Sequence, residues 1–137
     1  LPKKFLVMDK PPRQTKHELF LNYKIWLSGL TGDGRISDTT FRLLAKIKVL
    51  GSIKLAAQAC DISYRKAWGD IEEAEKMLEY QLIDKQRGGK DGGHSQLTPA
   101  CNKLLEAYDA LHQKFDDSVE AAFEDFRKAM LQKPASE

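Results

Sequence analysis

One stretch, residues 61–98, restricts the folds open to this chain more than any other. DISYRKAWGDIEEAEKML reads as a turn and a helix, and two short apolar pieces then flank RGGKDGGHS. Just ahead, SIKLAAQAC places Ile53, Ala56, Ala57 and Cys60 at helical spacing, with small residues where another helix must cross closely. Ser52 is the expected N-cap of this short helix, and Ser63 that of the next, which runs to about Tyr80. A short helix, a tight turn, a longer helix and a glycine-tipped β-hairpin form the sequence pattern of a winged helix-turn-helix.

The longer helix has two faces. Ala67, Ile71, Ala74 and Leu78 recur at helical spacing as a buried stripe flanked by Trp68, so Arg65, Lys66, Gly69, Glu73 and Lys76 point away from it. Charge is divided along its length: Arg65 and Lys66 lie in the first turns, while Asp70, Glu72, Glu73, Glu75 and Glu79 come later. DNA presents a dense row of phosphates, and a recognition helix enters the major groove by its N-terminal end, so this order suits duplex DNA. Arg65 and Lys66 either read guanine edges or hold phosphate. Tyr64 is phased near the buried stripe, yet the first residue of a helix is also able to splay outward. Ser52, Lys54 and Gln58 of the preceding helix join Ser63, Tyr64, Arg65 and Lys66 as candidate DNA contacts.

In the hairpin, Leu82, Ile83 and Lys85 read as one strand and Gln96 to Thr98 as its returning partner. Four glycines with Lys90 and Asp91 form a tip expected to be mobile. Arg87, Lys90 and His94 are the candidate phosphate or minor-groove contacts there. A nucleotide-binding loop is disfavoured, because no Gly-Lys-Ser/Thr follows and no helix starts at the loop.

GSIKLAAQACDISYRKAW, followed by LIDKQRGGKDGGHSQLT, closely resembles the N-terminal DNA-binding domain of the molybdate-responsive ModE regulators, and more distantly the winged domain of LysR-type regulators. The residues that carry the resemblance are Gly51, Ser52 and Ile53, Ala56 and Ala57, Ile62 to Arg65, Ala67 and Trp68, Gly88 and Gly89, and Leu97 and Thr98. Gly69, His94 and Cys101 depart from the family pattern. The resemblance covers roughly residues 20–115 and implies DNA binding by family type. ModE regulators sense molybdate through C-terminal oxyanion-binding domains; the sequence stops at Glu137 without room for one, so the resemblance does not imply that this chain binds molybdate.

A net charge of +2 looks too small for a DNA-binding protein until it is divided. Residues 1–69 hold 13 Lys/Arg against 5 Asp/Glu and residues 70–137 hold 9 against 15, giving +8 and −6. Such asymmetry favours one binding face over a uniformly adhesive surface. Lys3, Lys4, Lys10, Arg13 and Lys16, around Pro11 and Pro12, form either a flexible basic arm along phosphates or a disordered tail. No apolar run reaches the length of a membrane span and no signal peptide is evident, so a cytoplasmic protein is expected. Cys60 and Cys101 read as reduced small hydrophobes. The three histidines and two cysteines are too scattered for a metal site, and neither a cofactor nor an enzymatic activity is expected.

Ahead of the motif, FLNYKIWLSG alternates Tyr23, Ile25 and Leu27 against Asn22, Lys24 and Trp26, which predicts a strand, with GLTGDGR as a turn. Trp26 is then a packing residue or a partner contact. From Asp38 to about Leu50, Phe41, Leu44, Ala45 and Lys48, with Leu43, Ile47 and Leu50, predict an amphipathic helix beneath the helix-turn-helix.

Thr98 is able to cap and Pro99 suits a first helical position, and no Gly or Pro follows until Pro134, which predicts one helix of roughly 33 residues and about 50 Å. Leu104, Tyr108, Leu111, Phe115, Val119, Ala122, Phe126 and Met130 advance along it by threes and fours, a stripe that a second copy would bury in a homodimer. The alternative is a break near Asp116 and Asp117 with the helix folding back.

The expected fold class is therefore mainly α (α+β): a winged helix-turn-helix over residues 18–98, preceded by an arm at 1–17 and followed by a long dimerisation helix at 99–131 and a tail at 132–137. The expected function is transcriptional regulation by binding double-stranded DNA at a palindromic operator as a homodimer. The alternative is a protein-interaction module that uses Trp26 and the acidic C-terminal helix and has little DNA affinity.

Overall fold

The computed structural model describes residues 19–84 and 94–131. The expectations for the arm at 1–17, for Lys85, Arg87, Lys90 and Asp91 in the hairpin tip, and for the tail at 132–137 lie outside the described residues. The described residues divide into two compact units, one within residues 24–108 and a second formed by residues 19–23 with 109–131.

The larger unit begins with a small hairpin. β1 (Trp26–Ser28) pairs antiparallel with β2 (Arg35–Ser37), in a register that sets Leu27 opposite Ile36. The strand predicted from Phe20 onward is thus confined to three residues, and the predicted turn contributes Arg35 to β2, a strand that the periodicity does not reveal. Ile36, not the Tyr23–Ile25–Leu27 set, supplies the fully buried side chain, while Trp26 and Leu27 are exposed. Gly34 has φ 79°, a left-handed conformation that favours glycine, and a Cβ there would lie 3.0 Å from the flexible Met77 side chain at Sδ.

α1 (Asp38–Leu50) buries Thr40, Phe41, Leu43, Leu44, Ala45 and Ile47 and stops at Gly51, whose left-handed backbone lets its N–H reach the Ile47 carbonyl at 2.8 Å. Lys48 and Leu50, placed by the sequence pattern in its apolar sets, are exposed instead, because the last turn runs past the buried face. α2 (Ile53–Ala59) buries Ile53, Ala56 and Ala57, and the two alanines allow its backbone close to α1. The turn that follows takes Asp61 through φ 58°. α3 (Tyr64–Leu78) buries Ala67, Ile71 and Ala74; Leu78 is half-buried. Its last residue, Leu78, comes two before the expected end, and the C-cap Glu79 sits at φ 63° and donates its N–H to the Glu75 carbonyl at 2.8 Å.

Beyond α3, the described residues of the predicted strands are joined by an antiparallel bridge, Ile83 with Leu97. It is supported by Asp84 N–H to the Gln96 carbonyl at 2.8 Å and Thr98 N–H to the Leu82 carbonyl at 2.9 Å. The Ser95 amide ties the returning chain to the Gly51 carbonyl at 2.7 Å. α4 (Pro99–Leu131, 33 residues) starts where predicted, with the Thr98 hydroxyl accepting from the Cys101 amide at 3.1 Å. Its first residues belong to the larger unit. There Tyr108 stacks on Phe41 at a centroid distance of 3.6 Å and donates to Asp38 at 3.0 Å. Phe41, Leu43, Leu44, Ile47, Ile36, Ile71, Leu82, Ile83 and Leu105 form the core, each burial contributing about 1.5–3 kcal/mol.

In the second unit the Tyr23 hydroxyl donates to the Asp116 carboxylate. His112, itself buried, lies with Nδ1 3.3 Å from the other Asp116 oxygen, and Gln113 donates to Asp117 at 3.1 Å. Both aspartates are thus engaged on an unbroken helix, which excludes the predicted alternative of a break there.

Candidate nucleic-acid interface

The N-terminal turn of α3 is the best-defined surface feature of the larger unit. Ser63 has an extended backbone and its hydroxyl accepts from the Lys66 amide at 3.0 Å, so one of the orphan N–H groups of this helix start is satisfied and the terminus is held in shape. Ser63, Tyr64, Arg65 and Lys66 are all exposed. Tyr64 splays outward and meets Trp68 edge-on, with centroids 6.5 Å apart, which resolves the two placements open to it. Gly69 is exposed, and a Cβ there would meet nothing within 4 Å, so glycine leaves the outer face low without any packing reason for it.

The acidic half of α3 is largely occupied by its own frame. Asp70 receives the Lys66 ammonium at 2.8 Å across one helical turn. Glu73 accepts the Arg35 amide of β2 at 2.8 Å. Glu75 accepts the Leu82 amide at 2.8 Å and the Ile83 amide at 3.4 Å. The carboxylates that would repel DNA along this face therefore serve in part as internal acceptors. Sequence reasoning assigned Glu73 and Glu75 no role. A local signal existed for Glu75, which follows Ile71 by four residues and borders the buried stripe, so an acceptor there needs internal donors.

Lys54 and Gln58 are exposed and four residues apart, on one face of α2. Ser52, expected beside them, is buried, and its hydroxyl is engaged by the Leu55 amide at 3.1 Å. Its side chain shapes the start of α2 and does not join the exposed face. His94 is exposed at the returning end of the hairpin, whereas Arg87 and Lys90 lie outside the described residues. On α4, Tyr108 is turned inward to Phe41 and Asp38 and leaves the predicted dimerisation stripe; Leu104 is half-buried. Leu111, Phe115, Ala122, Phe126 and Met130 are exposed, and Val119 is half-buried. Trp26 is half-exposed, with the Arg35 guanidinium 4.8 Å from its ring centroid, a packing contact with a cation.

Cys60 and Cys101 are free thiols. Burial pushes the Cys60 thiol up, opposed by Arg42 and Lys46 nearby. Cys101 is pushed up to about 12 by burial, with the Glu75 carboxylate adding to the shift. Both are thus held as thiols at neutral pH, the less reactive form. Among the described residues no helix is long and apolar enough to cross a membrane, and no group of three or more His, Cys, Asp or Glu is placed to hold a metal ion.

A capped, basic, exposed helix start on α3, a tight turn from α2 and a β-bridge behind them define a winged helix-turn-helix domain. No family model matches the sequence. Among curated proteins, the chain is 39% identical over 78 residues to the transcriptional regulator ModE of Haemophilus influenzae, covering 57% of this chain and 31% of that protein. It is 35% identical over 96 residues to the DNA-binding transcriptional dual regulator ModE of Escherichia coli, covering 70% and 35%. It is 36% identical over 101 residues to the molybdenum-pterin-binding protein MopB of Rhodobacter capsulatus, covering 74% and 36%. Over the matched residues the chain is similar to these regulators, and it spans about a third of their length. Among solved structures, a LysR family transcriptional regulator aligns over 69% of this chain and 31% of its own, at TM-score 0.47 and 19% identity. Full-length OxyR from Pseudomonas aeruginosa aligns over 69% and 28%, at TM-score 0.45 and 17% identity.

Proposed function

We propose that this chain binds duplex DNA as a transcriptional regulator, placing the first turns of α3 in the major groove. The observation that carries this reading is the capped, exposed start of α3, where Tyr64, Arg65 and Lys66 project while Asp70, Glu73 and Glu75 further along are engaged within the protein. Lys54 and Gln58 of α2, with Arg87, Lys90 and His94 of the hairpin, are assigned to the flanking phosphates, and Tyr64 to Lys66 to the base edges. The apolar residues of α4 from Leu111 to Phe126 are assigned to a second copy, so that two α3 helices present about one DNA turn, ~34 Å, apart to a palindromic site.

Selection of bound sequences from a random duplex pool tests this reading, followed by anisotropy titration of the selected and scrambled duplexes at several salt concentrations. An enriched inverted repeat, bound more tightly than its scramble and weakening steeply with salt, is the expected result. Arg65→Glu with Lys66→Glu is expected to abolish binding while circular dichroism shows the fold retained. Retained affinity in that folded variant overturns the reading. Molybdate in the same titration is expected to leave affinity unchanged, since the reading routes binding through phosphate and base contacts alone.

A further inference from the structure

Glu75 occupies an unusual position for an acid. It borders the buried stripe of α3, and one of its oxygens takes the amides of Leu82 and Ile83 at 2.8 and 3.4 Å. Those two residues are themselves almost wholly buried, and they form the root of the hairpin: Ile83 bridges to Leu97, and the Leu82 carbonyl takes the Thr98 amide. Between Leu78 and Leu82 the chain reverses through the left-handed Glu79, so the backbone hydrogen bonds of α3 do not continue into the hairpin. A polar link from α3 to the root of the hairpin therefore runs through the Glu75 side chain, and the apolar contacts around it do not set a direction as a hydrogen bond does. Glu73 supplies a similar link on another flank, accepting the Arg35 amide of β2.

We infer that Glu75 is a positioning residue for DNA discrimination: its carboxylate fixes the root of the hairpin against α3, so that the base-reading helix and the hairpin meet the duplex in one register. The inference rests on the DNA-binding reading above. Phosphate contacts tolerate a small change of angle between two elements, because phosphates carry no sequence information; base contacts do not. Loosening the link therefore lowers affinity for the selected duplex more than for a scrambled one.

Two substitutions separate reach from charge. Glu75→Gln keeps an oxygen at the same length and removes the charge, whereas Glu75→Asp keeps the charge and shortens the arm by one methylene. The affinities of wild type and both variants for selected and scrambled duplexes are measured by anisotropy, well below each melting midpoint, alongside hydrogen exchange at the Leu82 and Ile83 amides. Glu75→Gln is expected to keep the selected-to-scrambled ratio within about twofold and to keep both amides protected, while Glu75→Asp loses roughly tenfold of the ratio and exposes both amides. A merely structural role lowers the melting midpoint of Glu75→Asp and leaves the ratio unchanged; an electrostatic role impairs Glu75→Gln and spares Glu75→Asp. Either pattern overturns the inference while the DNA-binding reading stands. A wild-type chain that fails to distinguish the two duplexes overturns that reading, and the positioning role with it.

Discussion

Asp70 holds the Lys66 ammonium at 2.8 Å on the outer face of α3, with the lysine side chain still 60% exposed. A solvent-exposed pair of this kind adds little to stability, so in the proposed reading its consequence lies in holding the Lys66 ammonium away from phosphate and toward the base edges. Asp70→Asn is expected to tighten binding to any duplex, steepen the salt dependence by about one phosphate contact and lower the selected-to-scrambled ratio. A titration series in salt reads all three, and an unchanged slope would mean that Lys66 already contacts phosphate in the wild type. Glu79 offers a stability prediction. A side chain at φ 63° crowds its own backbone, and glycine does not, so Glu79→Gly is expected to stabilise the fold by about 0.5–1 kcal/mol, measured as a higher urea midpoint. Cys101 sets a pH limit. Its thiol pKa lies at about 12 in the folded chain against 9.0 when unfolded, so above 9.0 the unfolded chain releases a proton that the folded chain keeps. Stability from this group is intact below 9.0 and is lost as pH rises from 9.0 to about 12. Cys60 and Tyr80, also pushed up by burial, contribute with the same sign. Cys101→Ala is expected to flatten the fall of the urea midpoint across that window; an unchanged fall would place the sensitivity at the other two.

The elements differ in how they are specified. α2 and α3 start at Ser52 and Ser63, whose hydroxyls accept the amides three residues on, and α4 starts at Thr98 in the same way. These caps are local chemistry and were legible as residue types followed by a helical pattern. β2 was not legible. Three residues give no period to read, and Arg35 follows Gly-Asp-Gly without a break, so turn and strand merge. What makes Arg35–Ser37 a strand is its pairing with Trp26–Ser28 and the Glu73 carboxylate on the Arg35 amide, from 38 residues away. The dimerisation stripe shows the same limit, because helical phase puts Tyr108 in line with Leu111 and Phe115, yet Phe41 and Asp38 draw it inward.

At the scale of the whole molecule, α4 is unbroken from Pro99 to Leu131, with Leu111, Phe115, Phe126 and Met130 exposed. In the proposed reading a second copy covers this stripe and gives a palindromic site two readers. Phe115→Asp is therefore expected to shift the chain to monomer in sedimentation velocity and to weaken binding to the full inverted repeat by at least an order of magnitude, while a half-site duplex is bound as by wild type. A dimer that persists in this variant would place the interface elsewhere. The division of charge between the two halves of the sequence has its counterpart in this scheme. The basic N-terminal half holds α2 and the start of α3, and the acidic half includes the carboxylates engaged by Lys66, β2 and the hairpin root.

Read alone, the sequence determined the helices, their caps, the tight turn before α3 and the outward direction of Arg65 and Lys66, because each depends on residues within about two helical turns. The tertiary structure decided which side chains were already engaged. Tyr108 lies on Phe41, and Glu73 and Glu75 accept amides from β2 and the hairpin root. Periodicity along one element reports which way a residue points, but not the partner that another element brings to it across space.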